Sequence, residues 1–189
     1  MNETGVKVVC LVGMPGAGKS ACVEYLEQKG WPSLYFGGIT VDEVKARGLE
    51  VNEANEKMVR EELRATEGAG VMAQRIIPKL NALAEEGHKV IIGDGLYSWT
   101  EYKIFKEKYG DNAIIIAITA PRKLRHERLA NRPVRPLTDE QVTAREYAEI
   151  ENIEKGGPIA NADFTVVNDG DIASLTAQLD KALASAGVL

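Results

Sequence analysis

The sequence predicts an α/β fold, a parallel sheet covered by helices on both faces. Three observations carry that expectation. Short apolar runs at 7–12, 89–93, 113–119 and 164–167 alternate with stretches of helical spacing. The runs are continuous rather than alternating, as strands buried on both faces are. The first run enters a glycine-rich loop and then a helical pattern. At 189 residues, 44% apolar and 27% charged, the chain has the size and composition of one domain. Such a domain buries enough surface to need no disulfide or metal staple.

Each element has its own signal. Residues 7–12 (KVVCLV) read as a buried strand. Residues 18–29 follow with helical spacing, Val23, Tyr25 and Leu26 offering a core face and Gly30 a C-cap. Residues 31–36 are a second strand, weakened by Pro32 and stopped by Gly37 and Gly38. Thr40 with Glu43 has the spacing of a capping box. Residues 40–47, 52–66 and 70–85 read as three polar helices, laced with charge pairs at helical spacing. Together they form a long excursion between strands, suited to a small lobe.

The third strand, 89–93, runs straight into Asp94 and Gly95. Ser98 and Glu101 make a second capping box, for a helix reaching Tyr109. Residues 113–119 (AIIIAIT) are the most continuous run and hence a central strand. Pro121 suits the first position of a helix running to about Asn131. Residues 132–137 hold Pro133 and Pro136 and read as a loop. Thr138 and Gln141 make a third capping box, for a helix to about Lys155 that Gly156, Gly157 and Pro158 break. Residues 164–167 are the last strand and 171–184 the closing helix. Crossovers between parallel strands are right-handed.

Charge narrows the function. The net charge of −5 argues against a general nucleic-acid binder. From Pro121 to Pro136, Arg122, Lys123, Arg125, Arg128, Arg132 and Arg135 face one acid, Glu127, a local +5 that leaves −10 elsewhere. Basic charge gathered on an acidic chain suits a small anionic ligand. The longest apolar run, 113–118, is far short of a membrane span, and MNETG has no signal-peptide pattern. Cys10 and Cys22 offer neither a disulfide framework nor metal spacing. His88 and His126 lack partners at ligand spacing. Cys22, Trp31 and Trp99 read as packing residues. The expectation is a cytoplasmic protein.

The strongest motif is Gly13-Met14-Pro15-Gly16-Ala17-Gly18-Lys19-Ser20, which matches GxxxxGK[ST] between a strand and a helix. Glycines let the backbone curl until successive N–H groups point at phosphate oxygens, and the helix start adds its positive end. Lys19 is placed to reach the β- and γ-phosphates, and the Ser20 hydroxyl to ligate Mg²⁺. Asp94, at a strand end, is suited to hold Mg²⁺ through water or to take a proton from an attacking hydroxyl. Arg128 and Arg132 share a helix face, with Arg145 on the next helix. Guanidinium forks match the charge spread over a phosphoryl group in transfer. Arg125 and Arg135 divide evenly between function and surface, and Arg122 and Lys123 read as surface charges.

GMPGAGKS, the Asp94-Gly95 pair and the spacing of Arg128 and Arg132 in RLANR resemble the P-loop nucleotide kinases, the group of adenylate kinase and dephospho-CoA kinase. KARGLE, ELRATEG, GDG and EIENIEKGGPIANADFTVVN are similar to an adenylate-kinase-related, dephospho-CoA-kinase-like subgroup, mostly archaeal. The resemblance covers about 6–180. It implies a three-layer P-loop NTPase fold with a five-stranded sheet in the order 2-3-1-4-5. It implies a core of 5–37, 88–131 and 138–186, a helical acceptor lobe at about 38–86 and a short lid at 132–137. Residues 13–20 then bind donor phosphates, Arg128 and Arg132 flank the donor and lid, and Arg145 is a transition-state arginine. The chain departs from the adenylate kinases in having Leu96-Tyr97-Ser98 where they carry Phe-Pro-Arg. It also has Gly37-Gly38 where acceptor lobes begin Gly-Asp. Arg47, Arg60 and Arg64 are replacements for the missing acceptor arginines, Arg64 first, with Asp94 and Gly95 beside the acceptor.

The leading expectation is an ATP- and Mg²⁺-dependent phosphotransferase whose acceptor is nucleotide-like, a nucleoside monophosphate first. Its partners are the nucleotide donor and that acceptor, with no nucleic acid polymer and no membrane, in a monomer or homodimer. Two alternatives stand beside it: a nucleotide-dependent switch or slow NTPase with a protein partner, and a dephospho-CoA kinase-like activity.

Overall fold

A computed structural model of the chain describes residues 5–133 and 135–189. Among these residues a five-stranded parallel sheet forms the centre. The strands are β1 (Lys7–Val12), β2 (Ser33–Tyr35), β3 (Val90–Asp94), β4 (Ala113–Thr119) and β5 (Phe164–Val167). Their order is β2-β3-β1-β4-β5, the order the family resemblance implies. The helices are α1 (Lys19–Glu27), α2 (Gly38–Ala46), α3 (Glu53–Glu67), α4 (Val71–Glu85), α5 (Trp99–Tyr109), α6 (Arg122–Asn131), α7 (Asp139–Ile153), α8 (Gly156–Ala160) and α9 (Ile172–Ser185). None is long and apolar enough to cross a membrane.

Strand side chains alternate between the two faces, and both faces are dry. Val8, Cys10 and Val12 with Ala113, Ile115 and Ala117 pack against Phe36, Leu96, Phe105 and the α4 residues Met72, Ile76 and Leu80. Val9 and Leu11 with Ile114, Ile116 and Ile118 pack against Cys22 and Leu26 of α1 and Leu175, Leu179 and Leu183 of α9. That explains why the strands read as continuous apolar runs. Of the excursion between β2 and β3, α4 lies in the layer on the sheet, and α2 and α3 buttress it through Val44, Val59 and Leu63.

Two capping boxes form as the spacing predicts, at Ser98 with Glu101 and at Thr138 with Gln141. The one expected at Thr40 does not. Helix α2 starts two residues earlier, at Gly38, without a side-chain cap. Thr40 is instead buried, with its hydroxyl 3.9 Å from Met72 Sδ. Packing against α4 outcompetes local capping there. Pro121 also sits one residue earlier than expected, as the N-cap of α6. The Gly156-Gly157-Pro158 break is itself helical, forming α8.

Register gathers the functional edge. Leu11 of β1 pairs with Asp94 of β3, Asp94 with Tyr35 of β2, and Val12 with Ala117 of β4. The strands therefore end together, and the segments that follow them share one edge of the sheet, where ligands bind in such folds. Ile115 is fully buried in the central sheet. Ile115→Ala is expected to lower unfolding free energy by about 3 kcal/mol, and Ser98→Ala by about 1 kcal/mol. Urea titrations should show lower midpoints with unchanged slopes; an Ile115→Ala midpoint equal to wild type would contradict the packing described.

Candidate functional site

The loop from Gly13 to Ser20 lies between β1 and α1, with Gly18 as the helix N-cap. Its glycines are required by contact as well as by torsion. Gly16 and Gly18 have φ of 77° and 103°, where L side chains are strained. A Cβ on Gly13 would lie 2.2 Å from the Ile118 carbonyl oxygen, on Gly16 2.6 Å from that of Arg125, and on Gly18 2.1 Å from Asn168 Nδ2.

The loop is clamped from behind. Arg125 is buried, and its guanidinium donates to the carbonyls of Pro15 and Ala120, each at 3.2 Å. Glu146 of α7 holds the same guanidinium and that of Arg122. Asn168, just beyond β5, donates to the Ala17 carbonyl at 2.8 Å and accepts from Arg128 Nη2 at 3.2 Å. Arg125 is thus a buttress of the loop. Asn168 was not singled out by sequence reasoning; its one signal is a polar residue directly after a strand.

A cleft of about 550 Å³ opens over the loop. Pro15, Gly16, Gly18, Lys19 and Ser20 line it, with Asp94 from β3 and Arg128, Arg132 and Arg145 from the helical side. All five proposed catalytic side chains therefore face one space. Lys19 Nζ donates to the Gly13 carbonyl at 2.7 Å. Burial, reinforced by Lys155 and Arg145 and opposed by Glu149 and Asp94, pushes the Lys19 ammonium down to about 7. Burial raises the Asp94 carboxyl, with Lys19 pulling the other way. Arg128 Nη1 is buried without a hydrogen-bond partner among the described residues. Arg132 donates to the Arg135 carbonyl at 2.6 Å, and Arg145 to Glu149 at 3.0 Å. The lining thus carries more cations than carboxylates: Lys19, Arg128, Arg132 and Arg145 share it with Asp94.

Tyr35, Tyr97, Leu129 and Lys155 complete the lining and were missed. Tyr35 ends β2 and Tyr97 follows β3, so strand-end position was an available signal for both. Gly95, at φ 91°, allows the Tyr97 ring to fold back: a Cβ there would lie 2.7 Å from the ring. Two expectations are corrected. Arg47 does not reach the cleft, because Glu43 and Glu62 hold its guanidinium at 3.0 and 2.8 Å. Arg64 does not line it either. It is half-buried on α3, its Nε is buried without a partner among the described residues, and Glu101 is the acidic group nearest in effect. In the segment 132–137, expected as a lid, Arg135 Nη1 lies 3.8 Å from Glu53 on α3; Val134 lies outside the described residues. Arg122 pairs with Glu146 and Thr143, away from the cleft.

The chain's matches to other proteins agree with this geometry. A family model described as an AAA domain matches residues 9–154. A UPF0200 protein of Thermococcus kodakarensis is 35% identical over 92% of this chain and 95% of its own length. A UPF0200/UPF0201 protein of Archaeoglobus fulgidus is also 35% identical, over 87% of this chain, and the match spans only 51% of that longer protein. Among solved structures, TT1252 from Thermus thermophilus superposes with a TM-score of 0.69 at 17% identity, covering 95% of this chain and 97% of that one. Shikimate kinase from Acinetobacter baumannii, in complex with shikimate, gives 0.56 at 18% identity, covering 97% and 96%. Dephospho-CoA kinase from Campylobacter jejuni gives 0.54 at 15%, covering 96% and 98%. At these identities the structural likenesses establish the fold, that of P-loop kinases.

The Lys19 shift makes a stability prediction. Its folded value of about 7 lies below the ordinary 10.5. Between those values the unfolded chain holds a proton the folded chain lacks, so stability rises with pH across that window. The burden of burying the ammonium is complete below pH 7 and gone above 10.5. Lys19→Met should therefore raise the Tm of the ligand-free protein at pH 6.5, with the gain fading towards pH 10. A pH-independent difference in Tm would contradict this account.

Proposed function

This chain belongs to the AAA domain family and stands among the UPF0200 proteins, and from that premise we propose that it is an ATP- and Mg²⁺-dependent phosphotransferase acting on a small nucleotide-type acceptor, a nucleoside monophosphate first. The observation that carries the reading is a loop lysine and a strand-end carboxylate sharing one cleft with three arginines. A lysine-bearing anion cradle without the rest would serve any phosphate. A carboxylate beside it, and guanidinium groups opposite, are what transfer of a phosphoryl group calls for.

The glycine cradle fits donor phosphates, since its would-be Cβ positions collide with the fold and leave only backbone toward the ligand. Ser20 and Asp94 suit Mg²⁺, which supplies neutralisation of phosphate charge when bound. Among the described residues no group of three or more His, Cys, Asp or Glu side chains gathers as a metal cage. That composition fits Mg²⁺, which keeps waters and takes substrate phosphates as ligands. Lys19 binds β- and γ-phosphate oxygens. Asp94 orients the accepting oxygen or takes its proton. Arg128, Arg132 and Arg145 carry the charge that spreads during transfer.

A second reading, a nucleotide-dependent switch, draws on one feature: no side chain of α2 or α3 lines the cleft, and Arg47 is tied up by glutamates. A coupled ADP-release assay separates the two. The panel is ribo- and deoxynucleoside monophosphates, dephospho-CoA, shikimate and gluconate. The kinase reading expects strong stimulation by one acceptor, with phosphorylated product seen by mass. Lys19→Ala and Asp94→Asn should each lose about 100-fold or more in rate. A slow rate indifferent to every acceptor, yet lost in Lys19→Ala, would favour the switch. Full activity in Lys19→Ala would defeat both.

A further inference from the structure

Sheet topology divides the cations of the cleft. Strands β4 and β5 lie on one side of β1, and β3 and β2 on the other. Arg128 belongs to the first side, through its hydrogen bond to Asn168 beyond β5. Lys155 lies apart from that pair: its Nζ is 4.8 Å from the centre of the ring of Tyr97, which follows β3.

Lys155 is an unusual cleft residue. It is 2% exposed and yet lines the cleft, although lysine is almost never interior unless paired. Its partner is Glu149, which also accepts from Arg145 Nε at 3.0 Å. One carboxylate thus hydrogen-bonds two cations, and the only other acid acting on Lys155 among the described residues, the buried Glu101, makes no hydrogen bond to it. Among the described residues the Lys155 ammonium donates one hydrogen bond, to Glu149, of the three it can make. The Tyr97 ring lies against it and provides no anion. Fixing a buried lysine costs rotamer entropy, and Glu149 holds this one where the strand ends open into the cleft.

We propose that Lys155, held by Glu149 beside Arg145, binds an oxyanion of the acceptor, so that the acceptor is an anion-bearing molecule rather than a neutral polyol or nucleoside. The proposal rests on the kinase reading for the word acceptor, and on the Lys155 geometry for the site. Glu149 is its positioning residue.

The test uses the whole protein with its donor site filled by Mg·AMP-PNP, titrated by calorimetry with inorganic phosphate and, separately, with acetate. One further anion site per chain is expected. Lys155→Met should weaken it by about tenfold or more, the usual worth of a charge-assisted hydrogen bond. Lys155→Arg should keep most of it, and Glu149→Gln should fall between. Tighter phosphate than acetate would indicate a phosphoryl-bearing acceptor, and the reverse a carboxylate-bearing one. Circular dichroism melts check folding, and Glu149 keeps Arg145 as a partner when Lys155 is removed. If Mg·AMP-PNP does not bind, the kinase reading fails, and the titration is read on the free protein for the Lys155 site alone. Phosphate and acetate affinities equal in wild type and folded Lys155→Met, or the absence of any anion site, would overturn the proposal.

Discussion

The close approach of the glycine-rich loop to later segments of the chain is the constraint on which the rest of this structure depends. Gly13 lies against the β4 carbonyl of Ile118, Gly16 against Arg125 of α6, and Gly18 against Asn168 beyond β5. No side chain fits at any of the three. The loop is therefore pressed onto three later segments of the chain, and its shape is set by all of them. Arg125 and Asn168 satisfy loop carbonyls that would otherwise be buried unpaired. Such a cradle is organised before a ligand arrives, so binding need not order it.

Helix α7 imposes order on charge. Glu146 holds Arg122 and Arg125, the second of which braces the loop. Glu149, three residues on and so on a neighbouring part of the same face, holds Arg145 and Lys155. Burial would raise the Glu149 carboxyl, and the two cations together hold it below the ordinary range. Two glutamates of one helix thus govern both the scaffold of the anion cradle and the cations that face it. A cleft built this way keeps positive charge locally on a chain whose net charge is −5, and focuses it where a phosphate would sit.

The same economy bears on the departures from the adenylate kinase pattern. Where adenylate kinases carry an arginine after the strand end, this chain has Ser98, the N-cap of α5, and Gly95 lets the ring of the preceding Tyr97 turn back beside Lys155. The lobe helices α2 and α3 pair their charges with each other instead, as at Arg47 with Glu43 and Glu62. The cationic group beside Tyr97, Lys155, comes from the turn between α7 and α8 rather than from α2 or α3.

By itself the sequence determined the sheet, its crossing helices and the glycine-rich loop, because these follow from short-range pattern. Continuous β-branched runs mean strands buried twice, and GMPGAGKS between a strand and a helix can curl in few ways. Asp94 was legible for the same reason, as the residue directly after an apolar run. Tertiary structure alone decided which charges are buried. Arg125 and Arg122 lie on one short helix with like surroundings in sequence, yet one is 8% exposed and braces the loop while the side chain of the other is 54% exposed. Thr40 and Ser98 head similar capping patterns, and only Ser98 caps. Lys155 has no local sign of its place in the cleft. Its burial depends on Glu149, the Tyr97 ring and α8 meeting in space, and no periodicity along the chain encodes which ion pair folding will remove from water.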